Sequence, residues 1–194
     1  MAASEYHTQV YTMFVAYFGR PPAQSGLDYY ANLMDESNGN WRILVDDFYN
    51  APESTEFFGD QSTEDQVAQV FQNAFGREPL AEGLSYWSGQ VLSGKISVPE
   101  LAYVVVYHAD AADKAVLEAK IETAEAWVES LASSDDAQAF QSAEARASAR
   151  EFLSTVTTSA PASAADVAAG VSAALSSAPG TQAEVAADTT GGGG

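Results

Sequence analysis

A stretch of this chain recurs 57 residues further on, and that duplication limits the fold more than any other property of the sequence. Phe18-Gly19-Arg20-Pro21-Pro22-Ala23-Gln24-Ser25-Gly26-Leu27-Asp28-Tyr29-Tyr30 aligns with Phe75-Gly76-Arg77-Glu78-Pro79-Leu80-Ala81-Glu82-Gly83-Leu84-Ser85-Tyr86-Trp87, identical at 7 of 13 positions. Upstream, Gln9, Val10 and Phe14 meet Gln66, Val67 and Phe71. Each copy reads as helix, tight turn, helix. Tyr6, Val10, Met13, Phe14 and Tyr17 form an apolar stripe of helical period before the first turn, and Val67, Val70, Phe71, Ala74 and Phe75 form another before the second. Gly19 and Gly76 fall where a helix end favours a left-handed residue, and Pro22 and Pro79 keep the helix from resuming. Arg20 and Arg77 are placed to bond the last free carbonyls and oppose the negative end of the helix dipole. After Gly26 and Gly83 the helical spacing restarts with Leu27, Tyr30 and Leu33, and with Leu84, Trp87 and Val91.

The rest of the chain agrees with helix. Ser97-Val98-Pro99-Glu100 is a capping box before the apolar run Leu101 to Tyr107, and Ser62 to Asp65 is a weaker one. Leu117, Ile121, Ala124, Val128 and Leu131 make a further amphipathic stripe, with Glu118, Glu122, Glu125 and Glu129 outside it. A turn at Ser133 to Asp136 precedes a helix over Ala137 to Phe152, and no alternating strand pattern competes. The expected class is all-α: duplicated helix-turn-helix units in a helical array, a further helical segment and a flexible Ala/Ser/Gly-rich tail. We expect units at 1–60 and 61–109, additional amphipathic helices over 110–153 and a low-complexity linker over 154–194. Within that linker, Ala164 to Ala178 has good helix formers but small side chains, which predicts at most a marginal helix. The four closing glycines suggest an N-terminal piece of something longer.

Charge and composition exclude several partners. The chain carries 27 acidic and 8 basic residues, a formal charge of −19, which repels a phosphate backbone and so disfavours nucleic acid. Cysteine is absent, which removes disulfides, thiolate metal sites and cysteine nucleophiles. No transmembrane segment is expected, because the longest apolar run is far shorter than the roughly 20 residues a bilayer needs. Met1 to Gln9 has neither the basic start nor the apolar core of a secretory signal.

The string FGR-x-P-x-x-x-GL-x-Y-[YW] at Phe18 to Tyr30 and Phe75 to Trp87 resembles the hallmark of a bacterial domain of unknown function numbered 4214 (DUF4214). Ser88 to Ser97 extends the second match, and Pro52-Glu53-Ser54-Thr55-Glu56-Phe57 looks like the closing serine and glutamate element of the first. The likeness covers roughly Val10 to Tyr107. Ala23 and Leu80 stand where the family usually has an acidic residue, and the second copy lacks an obvious S-x-E-F. The resemblance implies a helical module of large exported bacterial proteins, among them calcium-dependent surface-layer proteins and repeats-in-toxin adhesins of the type I route. By that analogy the chain is a non-catalytic N-terminal module of a secreted, surface-layer-type protein at the cell surface, anchoring it to envelope polysaccharide or lipopolysaccharide. The alternatives are a self-assembly module, in which copies of the chain form a lattice or filament without glycan, and an adhesin module.

The candidate residues follow from that reading. Glycan binding needs a flat aromatic for the apolar face of a sugar and planar polar groups for its hydroxyls. Trp41 and Arg42, after the polar loop Asp35 to Asn40, are the leading candidates, with Tyr30 and Trp87 beside them. Tyr29, Tyr86 and Trp87 read equally as core anchors, and Gly19, Arg20, Pro22, Gly26, Gly76, Arg77, Pro79 and Gly83 as structural elements of the repeat. His7 and His108 lack spaced partners and no nucleophile elbow occurs, so no enzyme activity is expected. No certain cofactor follows. Calcium fits the surplus acid, although Asp35 to Asn40 lacks the register of a calcium loop.

Overall fold

The structure, a computed structural model, describes residues 3–131 and 134–179. Among the described residues there are eleven α-helices and no strand. A short 3-10 helix, Ala3–Tyr6, leads into α1, His7–Met13, which continues as a π-helix over Phe14–Phe18. Helices α2 (Gln24–Glu36), α3 (Arg42–Asn50) and α4 (Pro52–Phe58) follow. The second copy repeats this order in α5 (Thr63–Phe75), α6 (Ala81–Leu92), α7 (Val98–Tyr107) and α8 (Ala111–Glu129), so the helix in the place of α4 lies beyond the expected unit 61–109, in the segment assigned to additional helices. The chain then turns through α9 (Ser134–Ala139), α10 (Ala143–Ser154) and α11 (Ala164–Ser177).

The duplication is visible in the backbone. Gly19 closes the first helix at φ 66° and Gly76 closes its counterpart at φ 65°, the left-handed cap that glycine adopts at low cost. Helix α5 crosses the π-helical segment and also packs on α7 and α8. Surrounded in this way, all five residues from Phe14 to Phe18 are buried, including polar-tipped Tyr17. Phe48 from α3 meets Phe14 and Phe18 of the π-helical segment at 5.0 Å and 4.8 Å and Tyr30 of α2 at 5.3 Å between ring centroids, so aromatic packing joins three helices of the first unit.

Both anticipated caps form: Ser62 accepts from the Asp65 amide and Ser97 from the Glu100 amide. One expected helix becomes two, because Ser142 caps α10 through the Ala145 amide and separates it from α9.

The segment expected to be a linker contributes a second core. In α11, Val167 and Val171 are buried and Ala174 is fully covered, packed with Trp127, Phe140, Ala145 and Ala149. Each of the two valines contributes roughly 1.5–3 kcal/mol by leaving water, which is why this helix is more than marginal. Its small residues serve close packing: a Cβ on Gly170 would lie 2.8 Å from the Phe152 ring and 2.9 Å from Trp127. The remainder of the expected linker, 180–194, lies outside the described residues.

Candidate functional site

Two arginine clamps hold the helices in place. Arg20 donates from Nε (2.7 Å) and Nη2 (2.5 Å) to the two oxygens of Glu53, and its Nη1 donates to the Pro21 carbonyl. Arg77 repeats the pattern, with Nε at 2.8 Å and Nη2 at 2.6 Å from Asp113 and Nη1 on the Glu78 carbonyl. Each therefore joins the end of the first helix in its unit to the first turn of the fourth, by the bidentate fork that only guanidinium offers. This corrects the expectation that the two arginines cap the helix they follow. In the first unit those carbonyls are satisfied from elsewhere: the buried Asn73 amide donates to the Tyr17 oxygen and Arg150 to the Phe18 oxygen.

The first clamp is the more elaborate. Arg150 donates to Glu53 at 3.1 Å, and Arg146 lies 3.7 Å from the same carboxylate. Burial pushes Glu53 up, but the Arg20 hydrogen bonds and the charges of Arg20, Arg146 and Arg150 outweigh it and hold the carboxyl below its ordinary value. Burial likewise drives the Arg150 guanidinium down to about 10 against the pull of Glu53. Nearby, Lys120 is almost fully covered; its ammonium donates to the Leu153 carbonyl and burial lowers it to about 8.

With the helices so fixed, α1, α7, α8 and the loop before α3 enclose a groove of about 710 Å³. An aromatic strip forms one wall. Trp41 lies flat on Tyr103 at 3.6 Å between centroids and 4° between planes, and Tyr103 is nearly parallel to Tyr107 at 6.2 Å. Tyr107 is 68% exposed, so its ring is open to a ligand. Thr8, Gln9 and Thr12 of α1 and Lys114 and Glu118 of α8 also line the groove. Tyr6 also lines the groove, and its hydroxyl is buried with no hydrogen-bond partner. Flat aromatic faces beside hydroxyl, amide and charged groups are the chemistry that holds a sugar: C–H faces stack on rings and hydroxyls bond to polar side chains.

The structure brings together two of the four glycan candidates. Trp41 and Arg42 are adjacent in space, with the Arg42 guanidinium 4.8 Å from the indole centroid and 3.3 Å from Glu100. Trp41 lines the groove itself and stacks on Tyr103. Tyr30 is elsewhere, edge-on to Phe14 and Phe48 in the first core, and burial raises its phenol to about 12. Trp87, half-buried, packs against the core of the second unit. The reading of Tyr29 and Tyr86 as core anchors is overturned: they are 53% and 58% exposed, each set edge-on to its inward neighbour, Tyr30 or Trp87. Helical spacing gave both tyrosines an apolar neighbour, but the outer face of the helix points them to water.

Sequence reasoning missed Tyr103 and Tyr107. They sit in the apolar run of α7, where the signal was the i, i+4 pair of tyrosines among valines. Asp113 was missed too, because it lies three residues beyond the position at which the offset of 57 would place the counterpart of Glu53. Among the described residues no three His, Asp or Glu side chains converge to hold a metal ion, and the turn at Asp35 to Asn40 closes on itself through the Gly39 amide and the Met34 carbonyl.

An all-α array of two duplicated four-helix units is the class this architecture defines. Within it, residues 45–106 match the family model described as Domain of unknown function (DUF4214). That match starts inside α3 and ends inside α7, so it takes in the close of the first copy and the hallmark of the second. No curated protein and no solved structure matches the chain. No helix among the described residues is long and apolar enough to cross a membrane.

Proposed function

We propose that this chain is a non-catalytic module of a secreted bacterial surface protein, of the surface-layer type, and that it anchors that protein to envelope glycan, lipopolysaccharide included. The observation that carries the reading is the strip Trp41–Tyr103–Tyr107, whose exposed end opens into a groove lined by hydroxyl and amide groups. The family likeness and the acidic, cysteine-free composition support the exported setting. A protein of charge −19 meets a phosphorylated envelope only with divalent cations between them, so calcium acts here as a shared counterion.

The reading is tested by pull-down with purified lipopolysaccharide and by glycan array. Tyr107→Ala, at an exposed position, is expected to weaken binding roughly five- to tenfold by loss of the stacking face. Trp41→Ala is expected to weaken binding as well, by removing a groove-lining indole and freeing Tyr103 from its stack. Chelation of divalent cations lowers binding to whole envelope but leaves a neutral oligosaccharide bound. Signals unchanged in both variants would refute the groove as the glycan site.

A further inference from the structure

The two units are not equally covered. Helix α2 packs on α1 and α3 and is also overlaid by the 3-10 segment Ala3–Tyr6. Its counterpart α6 packs mainly on α5 and α7, and among the described residues no element covers it to the extent that the 3-10 segment covers α2. The consequence shows at aligned positions. Leu27, Ala31 and Met34 of α2 are all buried, whereas of Leu84, Ser88 and Val91 in α6 only Ser88 is, and its hydroxyl has no partner. Around them Leu80, Tyr86 and Leu92 are 78%, 58% and 68% exposed. For an apolar helix this is an unusual amount of large side chain left in water.

Charge says what covers it. Residues 79–99 hold one acid, Glu82, and one base, Lys95, while the rest of the chain holds 26 acids and 7 bases. A cationic partner would be drawn to the acidic surface elsewhere. A second copy of this chain, itself strongly negative, can approach closely only where the surface is neutral, and this is such a place. The ends of the helix are also self-complementary. Glu82 lies in the first turn of α6 and Lys95 just past its last, and neither makes an ion pair among the described residues. Two α6 helices packed antiparallel about a two-fold axis near the middle of the helix bring the Glu82 end of one copy beside the Lys95 end of the other, twice.

We infer that the chain forms a two-fold homodimer through the exposed face of α6. The inference is independent of the glycan reading, because α6 contributes no residue to the groove. It implies that the assembled particle carries two grooves on one rigid body, which multiplies attachment to a polyvalent surface.

The test is sedimentation equilibrium of the whole chain from micromolar to near-millimolar concentration, with circular dichroism to establish that each variant is folded. The wild type is expected to show a reversible monomer–dimer equilibrium. Tyr86→Glu and Leu92→Glu, both at exposed positions, are expected to leave only monomer with an unchanged helical spectrum. Glu82→Lys and Lys95→Glu each weaken the dimer roughly tenfold, and the double exchange restores it, since the opposed pairs are re-formed with reversed sign. A wild type that stays monomeric throughout, or a dimer indifferent to all four single changes, overturns the inference. Glycan binding by the folded monomeric variants would leave the groove reading intact either way.

Discussion

Glu53 faces three guanidinium groups, and its removal therefore costs more than the loss of one pair. Glu53→Gln leaves Arg20, only 7% exposed, together with Arg146 and Arg150 around a neutral amide. We expect a loss of about 3–5 kcal/mol, the penalty for an uncompensated buried charge. Asp113→Asn is expected to cost only about 1 kcal/mol, because its partner Arg77 is 41% exposed and water replaces part of the bond. Thermal or urea unfolding of the two variants measures the difference; equal losses would contradict the asymmetry of the clamps. The same carboxyl sets an acid limit. Its native-state value lies below the ordinary 4.5, so the unfolded chain binds the proton more readily. The stabilisation is complete above that value and is lost as pH falls through the lower, native one. In Glu53→Gln this part of the acid unfolding profile is expected to flatten. The repeat arginines were legible as structural residues from the sequence, but their partners were not. A clamp that spans 33 residues in one copy and 36 in the other leaves no constant spacing to detect.

Helices were legible wherever an apolar stripe met a cap, as at Ser62 and Ser97, and least legible where stability comes from contact between small residues. The inner face of α11 is narrow, with Val167, Val171 and Leu175 set among alanines, and its burial depends on Trp127 and Phe152 arriving from α8 and α10. Local pattern cannot announce that. The dependence makes a prediction with a sign opposite to helix propensity. Gly170→Ala in an isolated helix would be favourable by about 1 kcal/mol. Here the new methyl meets two rings at under 3 Å, and we expect a net loss of about 1–3 kcal/mol. Calorimetry together with tryptophan fluorescence reads it; a raised melting temperature would show that α11 does not press on Trp127 as described. The aromatic groove was half legible for a related reason. Trp41 stood out after a polar loop, whereas Tyr103 and Tyr107 were hidden in the apolar run Leu101 to Tyr107, where valines leave no polar face to mark the outer side.

For the molecule as a whole, acid is spread evenly. Residues 1–109 carry 14 acids and 4 bases and residues 110–194 carry 13 and 4, so no terminal tail accounts for the charge. Glu125 illustrates the result: partial burial and the neighbouring Glu122 and Glu129 raise its carboxyl. Self-repulsion of this kind is relieved by counterions, while the clamps, being partly enclosed, are screened less. The melting temperature is therefore expected to rise by a few degrees as sodium chloride increases to about 0.5 M. A fall would mean that exposed ion pairs outweigh the repulsion.

The sharing of Glu53 with α10 also has a consequence for how the molecule comes into being. Arg150 lies 97 residues after Glu53 and 132 after Phe18, whose carbonyl it also satisfies. At roughly 5–20 residues per second of synthesis, about 5–20 s pass between the appearance of the glutamate and that of its last guanidinium. For most of that interval the first unit, once α4 is complete at Phe58, holds a helix end and a clamp that still lack Arg150. Its final locking waits for a segment made after the second unit is complete.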